Sequence, residues 1–490
     1  MKSIMNMIRI KTGLASILFL ALVAGCEKNE PAQTTSVESD KAAASELTDE
    51  QVKNIVRRSY QYVAMFNVIQ KFALDSSAGG LFLDGFNNPV AETTLADHNV
   101  KSIARPNNDT FYQGVVLDLR NDPVIIEYPA IDSKYVVLET SGYAHYVGAP
   151  LASSEGDFSK PTKVLFYTDR NEGYQGQAIE GVDLIVEADG DIFVAFLRAM
   201  PHLSDPARMA RIIQELKDIK VVTLSEFQSK PAKDSDNAKF PAYGKTDGDV
   251  FANNLLEVMQ FVFNHTTFDP NDAMDQALLA AYKPLGVEPG KAFDATSVAK
   301  LDSALFREVA TEIARHALED NMTDPVVLAR MMPQFFMPKG QADLETLVTQ
   351  SVVGPIGLPA HQALYIPPGT SDGKPMNAQY DYVLKMSKDE LPPSTAFWSL
   401  TLYDLKNGFF IPNDHKKYSV GENAGYKLNA DGGIEIVVSA TKPDGVPEEN
   451  WLPINRGDIG LNGMFRIYVA DAEKMKTWKT PQFELLPQAK

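Results

Sequence analysis

At 490 residues, with 44% hydrophobic and 9% aromatic side chains, the chain has ample apolar material to fold. It is too long for one core, which usually stops growing near ~250–300 residues. A formal charge of −18 argues against nucleic acid as a partner, and the single cysteine excludes a disulfide within the chain.

The N-terminus carries Lys2, Arg9 and Lys11, an apolar run at 14–23, and then VAGC ending at Cys26. A basic segment with a short apolar run reads as a secretory leader, since a membrane span needs ~20 apolar residues. VAGC resembles the bacterial lipobox, which implies lipidation of Cys26 and anchorage to a membrane that the chain does not cross. Glu27 after the cysteine fits, by resemblance to lipoprotein sorting rules, the outer membrane facing the periplasm. Loss of the leader takes the formal charge from −18 to −21, which also argues against docking on anionic headgroups. The polar stretch at 26–47 reads as a flexible tether.

Helical text opens at Thr48, an N-cap with Gln51 three residues on, and Val52, Ile55, Val56, Tyr60, Val63 and Val68 follow at helical spacing. One helix of about 25 residues packed on a sheet domain is expected. Across 97–197 the text changes to short runs rich in β-branched and aromatic residues: TFYQGVVLDL, VIIEYP, KYVVLETS, AHYVGAP, KVLFYTD, DLIVEAD and DIFVAFLRA. With no helix between them, they predict a β-sandwich or jelly roll.

Helical patterns return at 205–319, in DPARMARIIQELKDI, GDVFANNLLEVMQFVFNH, NDAMDQALLAAYKPL and a last helix with Thr296 as its cap. SKPAKDSDNAKFPAYGKTD, between the first two, is a loop that serves as a functional cover or as a surface insertion. Strands resume at 363–481: ALYIPPG, YDYVLKMS, FWSLTLYDL, FFIPN, IEIVVSA and GMFRIYVADA. The expected fold is mainly β with a substantial α component: two jelly-roll-like sandwiches, an N-terminal helix, and a helical segment between the sandwiches. Its parts are a leader at 1–25, a tether at 26–47, a first β domain at 48–203, a helical region at 204–340 and a second β domain at 341–490.

One pattern occurs twice. RPNNDTFYQGVVLDLRNDP and STAFWSLTLYDLKNGFF align on Phe111 and Phe397, matching Tyr112 to Trp398, Asp118 to Asp404, Leu119 to Leu405, Arg120 to Lys406 and Asn121 to Asn407. Duplication of a sandwich element accounts for this, as does coincidence between two all-β regions. RPNNDTFYQGVVLDL, PVIIEYP and KYVVLETSGYAHYVGAP resemble the bacterial domain of unknown function numbered 1254. LPPSTAFWSLTLYDL, FFIPN, LNADGGIEIVVS, NWLPI and GMFRIYVAD resemble the domain of unknown function numbered 1214. The resemblance extends over nearly all of 48–486. It implies two sandwiches with helical material between them, in exported bacterial proteins, and carries over no reaction. Ile454 and Asn455, after NWLP, depart from the small residues or second Pro that follow in many relatives.

Asn107, Asn108, Asp109 and Thr110 precede a buried-looking strand. They either point oxygens into a pocket mouth, for sugar hydroxyls or a divalent cation, or form an Asx-type turn at the strand entrance. Tyr143, His145 and Tyr146 follow; His145 is a candidate general base or ligand, or a packing residue. Strand alternation puts Tyr143 and His145 on one face and Tyr146 on the other. Trp398, Trp451, Arg466 and Tyr468, with Asn413 and Asn450, suit a sugar or an aromatic carboxylate, or else form a core with polar tips. His98, His202, His265, His316, His361 and His415 have no metal-ligand spacing, and no G-x-S-x-G, P-loop or G-x-G-x-x-G occurs.

These residues suggest a lipid-anchored cell-envelope protein that binds, and in one version turns over, a small organic ligand such as a glycan fragment or carboxylate between two sandwiches. As an enzyme it would be a hydrolase or other acid/base catalyst, with Asp109 and His145 catalytic and Tyr112 and Arg466 positioning substrate. No cofactor is expected, a bound divalent cation stays open, and so does a homo-oligomer. The alternative is a structural or assembly lipoprotein that binds another envelope protein without catalysis.

Overall fold

Thr48 begins the first helix as the sequence indicates. Its hydroxyl accepts from the Gln51 amide at 3.3 Å while the Gln51 side chain accepts from the Thr48 amide at 2.9 Å, a reciprocal cap. The computed structural model describes residues 47–487 except 78–81, 102–104, 234–238 and 355. The leader, Cys26 and nearly all of the tether therefore lie outside the described residues, as does part of the loop at 229–247.

Helix α1 (Asp49–Leu74) is buried on every side between Ser59 and Phe66. The reason is that it packs on a sheet and is also enclosed by other helices, and its apolar residues share one core with them. The first β region contains β1 (Val90–Glu92), β2 (Phe111–Asp118), β3 (Val124–Tyr128), β4 (Val136–Gly142), β5 (Val147–Ala152), β6 (Thr162–Tyr167), β7 (Leu184–Glu187), β8 (Ile192–Ala199) and β9 (Lys220–Thr223), with α2 (Pro206–Lys217) before β9. Two sheets result, ordered β1-β2-β8-β4-β5 and β7-β6-β3-β9. Alternation divides each strand between two cores. On β2 and β8, Val115, Leu117, Ala195 and Leu197 join Val124, Ile126, Val164 and Phe166 of the other sheet. Val116, Val194 and Phe196 turn the opposite way, into the helical core.

The helical region holds α3 (Leu224–Phe227), α4 (Asp247–Asn253), α5 (Leu255–Asn264), α6 (Ala273–Tyr282), α7 (Ser303–His316), α8 (Pro325–Met331) and α9 (Leu344–Val353). The stretch expected as one helix breaks at Asn254, whose backbone (φ −151, ψ 30) leaves the helical region while its side chain bonds Ala242 O at 2.8 Å. Thr296 is not the cap of α7. Asp302 fills that place, accepting from the Ala304 and Leu305 amides, and Thr296 belongs to a turn held by Asp294.

The second β region contains β10 (Ala363–Ile366), β11 (Met376–Asn377), β12 (Tyr382–Met386), β13 (Ser394–Asp404), β14 (Ser419–Gly421), β15 (Ile434–Ser439), β16 (Trp451–Pro453), β17 (Gly460–Ala470) and β18 (Phe483–Leu485), with α10 (Ala472–Met475) before β18. One sheet runs β10-β17-β13-β14, with β11 on β17, and the other β16-β15-β12-β18. Leu400, Leu402, Phe465 and Ile467 meet Leu384, Ile436 and Val438 in their shared core. FFIPN, expected as a strand, makes only an isolated bridge from Phe410 to Tyr403 after a turn at Gly408 (φ 71). The repeated Asp does similar work in both copies: Asp118 accepts from the Arg120 amide at 3.0 Å, and Asp404 from the Asn407 and Phe409 amides. No helix among the described residues is long and apolar enough to cross a membrane.

Candidate functional site

The faces of β2-β8-β4 and of β10-β17-β13 that turn away from their own cores are brought together at one end. Register assigns their side chains. On the first face Tyr112, Arg198 and Val137 are cross-strand neighbours, with Gly114, Phe196 and Glu139 in the next row. On the second, Phe397, Tyr468 and Ala363 form one row and Ser399, Arg466 and Tyr365 the next. Tyr135, Val137, Ala152 and Met200 share an apolar cluster with Ala363, Phe397 and Tyr468, sealing one side. Tyr468 stacks on Phe397 with centroids 4.1 Å apart, and the Tyr135 ring meets both edge-on.

The loop at 105–110 wedges between the two regions. Asp109 is 1% exposed and its Oδ2 accepts from the Ser399 hydroxyl at 2.6 Å and the Tyr468 hydroxyl at 2.9 Å. Asn107 turns the loop by accepting from the Asp109 amide at 2.6 Å and donates to Tyr468 Oη at 3.0 Å. Asn423 donates to the Asp109 carbonyl at 3.0 Å. Arg466, 2% exposed, donates to Thr401 Oγ1 at 2.9 Å, to Arg105 O at 3.0 Å and to Tyr403 Oη at 2.5 Å. Tyr403 in turn donates to Pro106 O at 2.7 Å.

Across from this loop lies a second charged pair. Arg198 donates to Glu139 Oε2 at 3.1 Å, and the Gly357 amide to Glu139 Oε1 at 3.2 Å; both side chains are buried. Burial pushes the Glu139 carboxyl up to about 7 against the pull of Arg198. Arg198 lies over the Tyr112 ring at 5.4 Å and Arg466 over Tyr365 at 5.8 Å. Burial also raises the phenols of Tyr135, Tyr365 and Tyr468, so they remain protonated hydrogen-bonding groups.

Several polar atoms in this region are buried without a hydrogen-bond partner: Asn108 Oδ1, Thr110 Oγ1, Tyr135 Oη, Arg198 Nε and Arg466 Nε. Each such atom costs about 1–3 kcal/mol unless something meets it. Tyr112 and Tyr365 keep accessible surface although their neighbours Phe111, Arg198, Arg466 and Tyr468 are buried. Phenols, two guanidinium groups and two carboxylates thus lie together where the two sheets meet. Partnerless donors and acceptors of this kind can bind a polar guest by hydrogen bonding and charge.

The structure thus gathers Asn107, Asn108, Asp109, Thr110, Tyr112, Arg466 and Tyr468 in one place. The other expected residues lie elsewhere. His145 and Asp109 are at opposite ends of the first sheet: Phe111 pairs with Ala199 and Ala199 with Val136, whereas His145 follows Gly142, which pairs with Phe193. Six residues of strand separate those ends, about 20 Å at ~3.3 Å per residue. The two do not form a catalytic pair. His145 has a left-handed backbone (φ 62) and its Nδ1 lies 2.7 Å from Ser351 Oγ, so it is in a turn and strand alternation does not apply to Tyr143, His145 and Tyr146. Tyr143 is in the helical core, its hydroxyl accepting from Gln70 at 3.2 Å. Trp398 faces the opposite side of β13 and stacks on Tyr426. Trp451 is buried and donates to Ser439, and Asn413 caps a turn through Ile411 and Lys417.

Glu139, Arg198, Tyr135, Tyr365 and Ser399 were not foreseen. The available signal was a lone charge inside an apolar strand, in KYVVLETS and DIFVAFLRA. Among the described residues no group of three or more His, Cys, Asp or Glu is placed to hold a metal. A separate cleft of about 410 Å³ between α1, α7 and α9 is lined by Glu50, Glu312 and Glu345 against Lys53, Arg57 and Arg58. Its three carboxylates and three cations balance.

Comparison with known proteins agrees with this layout. The family model described as "Protein of unknown function (DUF1254)" matches 86–222, and that described as "Protein of unknown function (DUF1214)" matches 362–472. No curated protein matches the chain. The fold is similar to that of the VPA0106 protein from Vibrio parahaemolyticus, with a TM-score of 0.66 and 21% identity over 90% of this chain and 100% of that one. An uncharacterized protein from Burkholderia cenocepacia aligns at a TM-score of 0.41 and 14% identity over 89% of this chain and 93% of that one. The chain is β-rich with several sheets and interspersed helices, carries DUF1254 and DUF1214 in tandem, and belongs to the proteins defined by that pair.

Proposed function

We propose that the protein binds a small organic ligand in a chamber between its two β regions, each read as a jelly-roll-like sandwich. The observation that carries this reading is the convergence of partnerless buried polar atoms, Asn108 Oδ1, Thr110 Oγ1, Arg198 Nε and Arg466 Nε, where two sheets meet. A purely structural junction would pair or discard such atoms. The proposal places the protein in the bacterial envelope, held by lipid at Cys26, on the strength of the VAGC motif and the polar tether. It keeps the boundaries at 48–203, 204–340 and 341–490 for the three folded parts.

A second reading, an assembly lipoprotein without catalysis, is favoured by Asp109 alone, whose Oδ2 is already met by two hydroxyls. One experiment separates the two. Thermal shift of the body beginning at Ala43 is measured with benzoate, glucuronate, N-acetylglucosamine and benzyl alcohol, in wild type and in Tyr112→Phe and Tyr365→Phe. A ligand site predicts a rise in melting temperature with one of these, reduced in both variants. No shift with any of them sinks the ligand reading and favours assembly.

A further inference from the structure

The chamber's charges make a more specific statement, which rests on the ligand reading above. Arg198 and Arg466 face it with Glu139 and Asp109, so the buried set is neutral when both carboxyls are ionised. Neutrality matters because an uncompensated buried charge is costly. Arg198 donates one terminal nitrogen to Glu139 and Arg466 donates both of its own to protein oxygens, while Nε of each lacks a hydrogen-bond partner. A guanidinium N–H left over in this way suits a carboxylate oxygen. An organic anion bound there would leave the set one negative charge in excess.

Two groups could absorb that excess, and they are not equivalent. Asp109 Oδ2 already accepts from two hydroxyls, at 2.6 and 2.9 Å. Glu139 has a single cationic contact at 3.1 Å and one amide at 3.2 Å. The groups around Glu139 are Arg198 from β8, Tyr112 beyond it on β2, Tyr135 just before its own strand, Tyr365 from β10 and the Gly357 amide. None of them is a second cation. Sharing Arg198 with an incoming carboxylate weakens the one cationic interaction that favours the ionised form of Glu139, leaving the Gly357 amide.

We propose that the chamber takes up an organic carboxylate together with one proton, the carboxylate pairing with the Arg198 edge while Glu139 becomes a neutral acid. The rings that keep accessible surface, Tyr112 and Tyr365, suit a ligand with a planar apolar body, and benzoate is the simplest such probe. No bond in the ligand breaks; the proton comes from solvent and rests on a Glu139 carboxyl oxygen. Binding is then strongest below about pH 7, where burial already holds the Glu139 carboxyl. It weakens about tenfold per pH unit above that value.

The test is calorimetric titration of benzoate into the full chain between pH 5.5 and 8.5, in pairs of buffers with different ionisation heats, with benzyl alcohol as the neutral control. The expected result is uptake approaching one proton per benzoate at the alkaline end and little response to benzyl alcohol. In Glu139→Gln, confirmed folded by circular dichroism, the pH dependence flattens and binding at pH 8 is stronger than in wild type. The wild-type proton count needs no variant, so a misfolded Glu139→Gln would not blunt the test. Benzoate binding without proton uptake overturns the proton linkage and leaves the ligand site standing. Binding of benzyl alcohol or N-acetylglucosamine in place of benzoate overturns the carboxylate. Binding of none of them overturns both this inference and the reading beneath it.

Discussion

Tyr468→Phe removes one oxygen atom and tests the junction between the two β regions directly. In the wild type that hydroxyl donates to Asp109 Oδ2 at 2.9 Å and accepts from Asn107 Nδ2 at 3.0 Å, while the ring stays stacked on Phe397. A hydrogen bond to an ionised group contributes about 1.5–3 kcal/mol and a neutral one about 0.5–1.5 kcal/mol. The variant keeps the ring and leaves Asn107 without that acceptor, so a loss of about 3 kcal/mol is expected. At about 2.1 cal/mol/K per residue, a body of roughly 440 residues has an unfolding entropy near 0.9 kcal/mol/K, which converts the loss into about 3 °C of melting temperature. The assay is differential scanning calorimetry of wild type, Tyr468→Phe, Asp109→Asn and the double variant. The cycle should give a coupling of about 1–3 kcal/mol, because both single changes disturb the same contact. A Tyr468→Phe melting point within ~0.5 °C of wild type, or additive single effects, would refute the docking of the 105–110 loop against β17.

Other changes have equally definite outcomes. Because burial raises the Glu139 carboxyl from its usual 4.5 to about 7, the folded state holds that proton more tightly than the unfolded chain does. Its contribution is therefore full below pH 4.5 and is lost as pH rises through 7. Wild type should lose about 3 kcal/mol relative to Glu139→Gln across that window in urea titrations, and parallel stability curves would contradict this. Gly114→Ala should destabilise by about 1–3 kcal/mol, seen as a lower urea midpoint. Its new Cβ would lie 2.6 Å from Phe196 Cε1 and 2.8 Å from Leu83 Cδ2, and an unchanged midpoint would disprove the close packing there. Thr48→Ala should cost about 1 kcal/mol by loss of the reciprocal cap, read from hydrogen exchange in the first turn of α1, and unaltered exchange would show that the cap contributes nothing.

What could be read in advance, and what could not, follows the range of each interaction. The cap at Thr48 and the strands at 111–118 and 192–199 are written in neighbouring residues, and sequence pattern found them. The loop at 105–110 was readable as a polar turn, and Asn107 does make that turn on the Asp109 amide. The partners of Asp109, Ser399 and Tyr468, lie on strands far away in the chain, and nothing local distinguishes Ser399 from Trp398, one position along the same strand. A single step on β13 exchanges the core face for the chamber face, so an aromatic residue in a strand cannot be assigned to a site without knowing which sheet it pairs with. His145 misled for a related reason: β4 ends at Gly142, and the turn that follows, with a positive φ at His145, breaks the alternation that seemed to orient it. Asn254 and Asp302 show the same limit for helices, since one broke a continuous helical pattern and the other took the cap from Thr296.

The Tyr468 to Asp109 contact also sets a schedule for folding. Its partners are 359 residues apart, and those of the Ser399 contact 290. A chain synthesised at ~5–20 residues per second needs roughly 20 to 70 s to deliver Tyr468 after Asp109 has emerged. For that interval the N-terminal half presents Arg198, Glu139 and the Asp109 loop with no opposing sheet, and its unpaired polar face is open to the wrong partner. Expressed alone, the segment at 86–222 would remain in that state permanently, so it should need a holding chaperone, or the second half supplied in trans, to stay in solution.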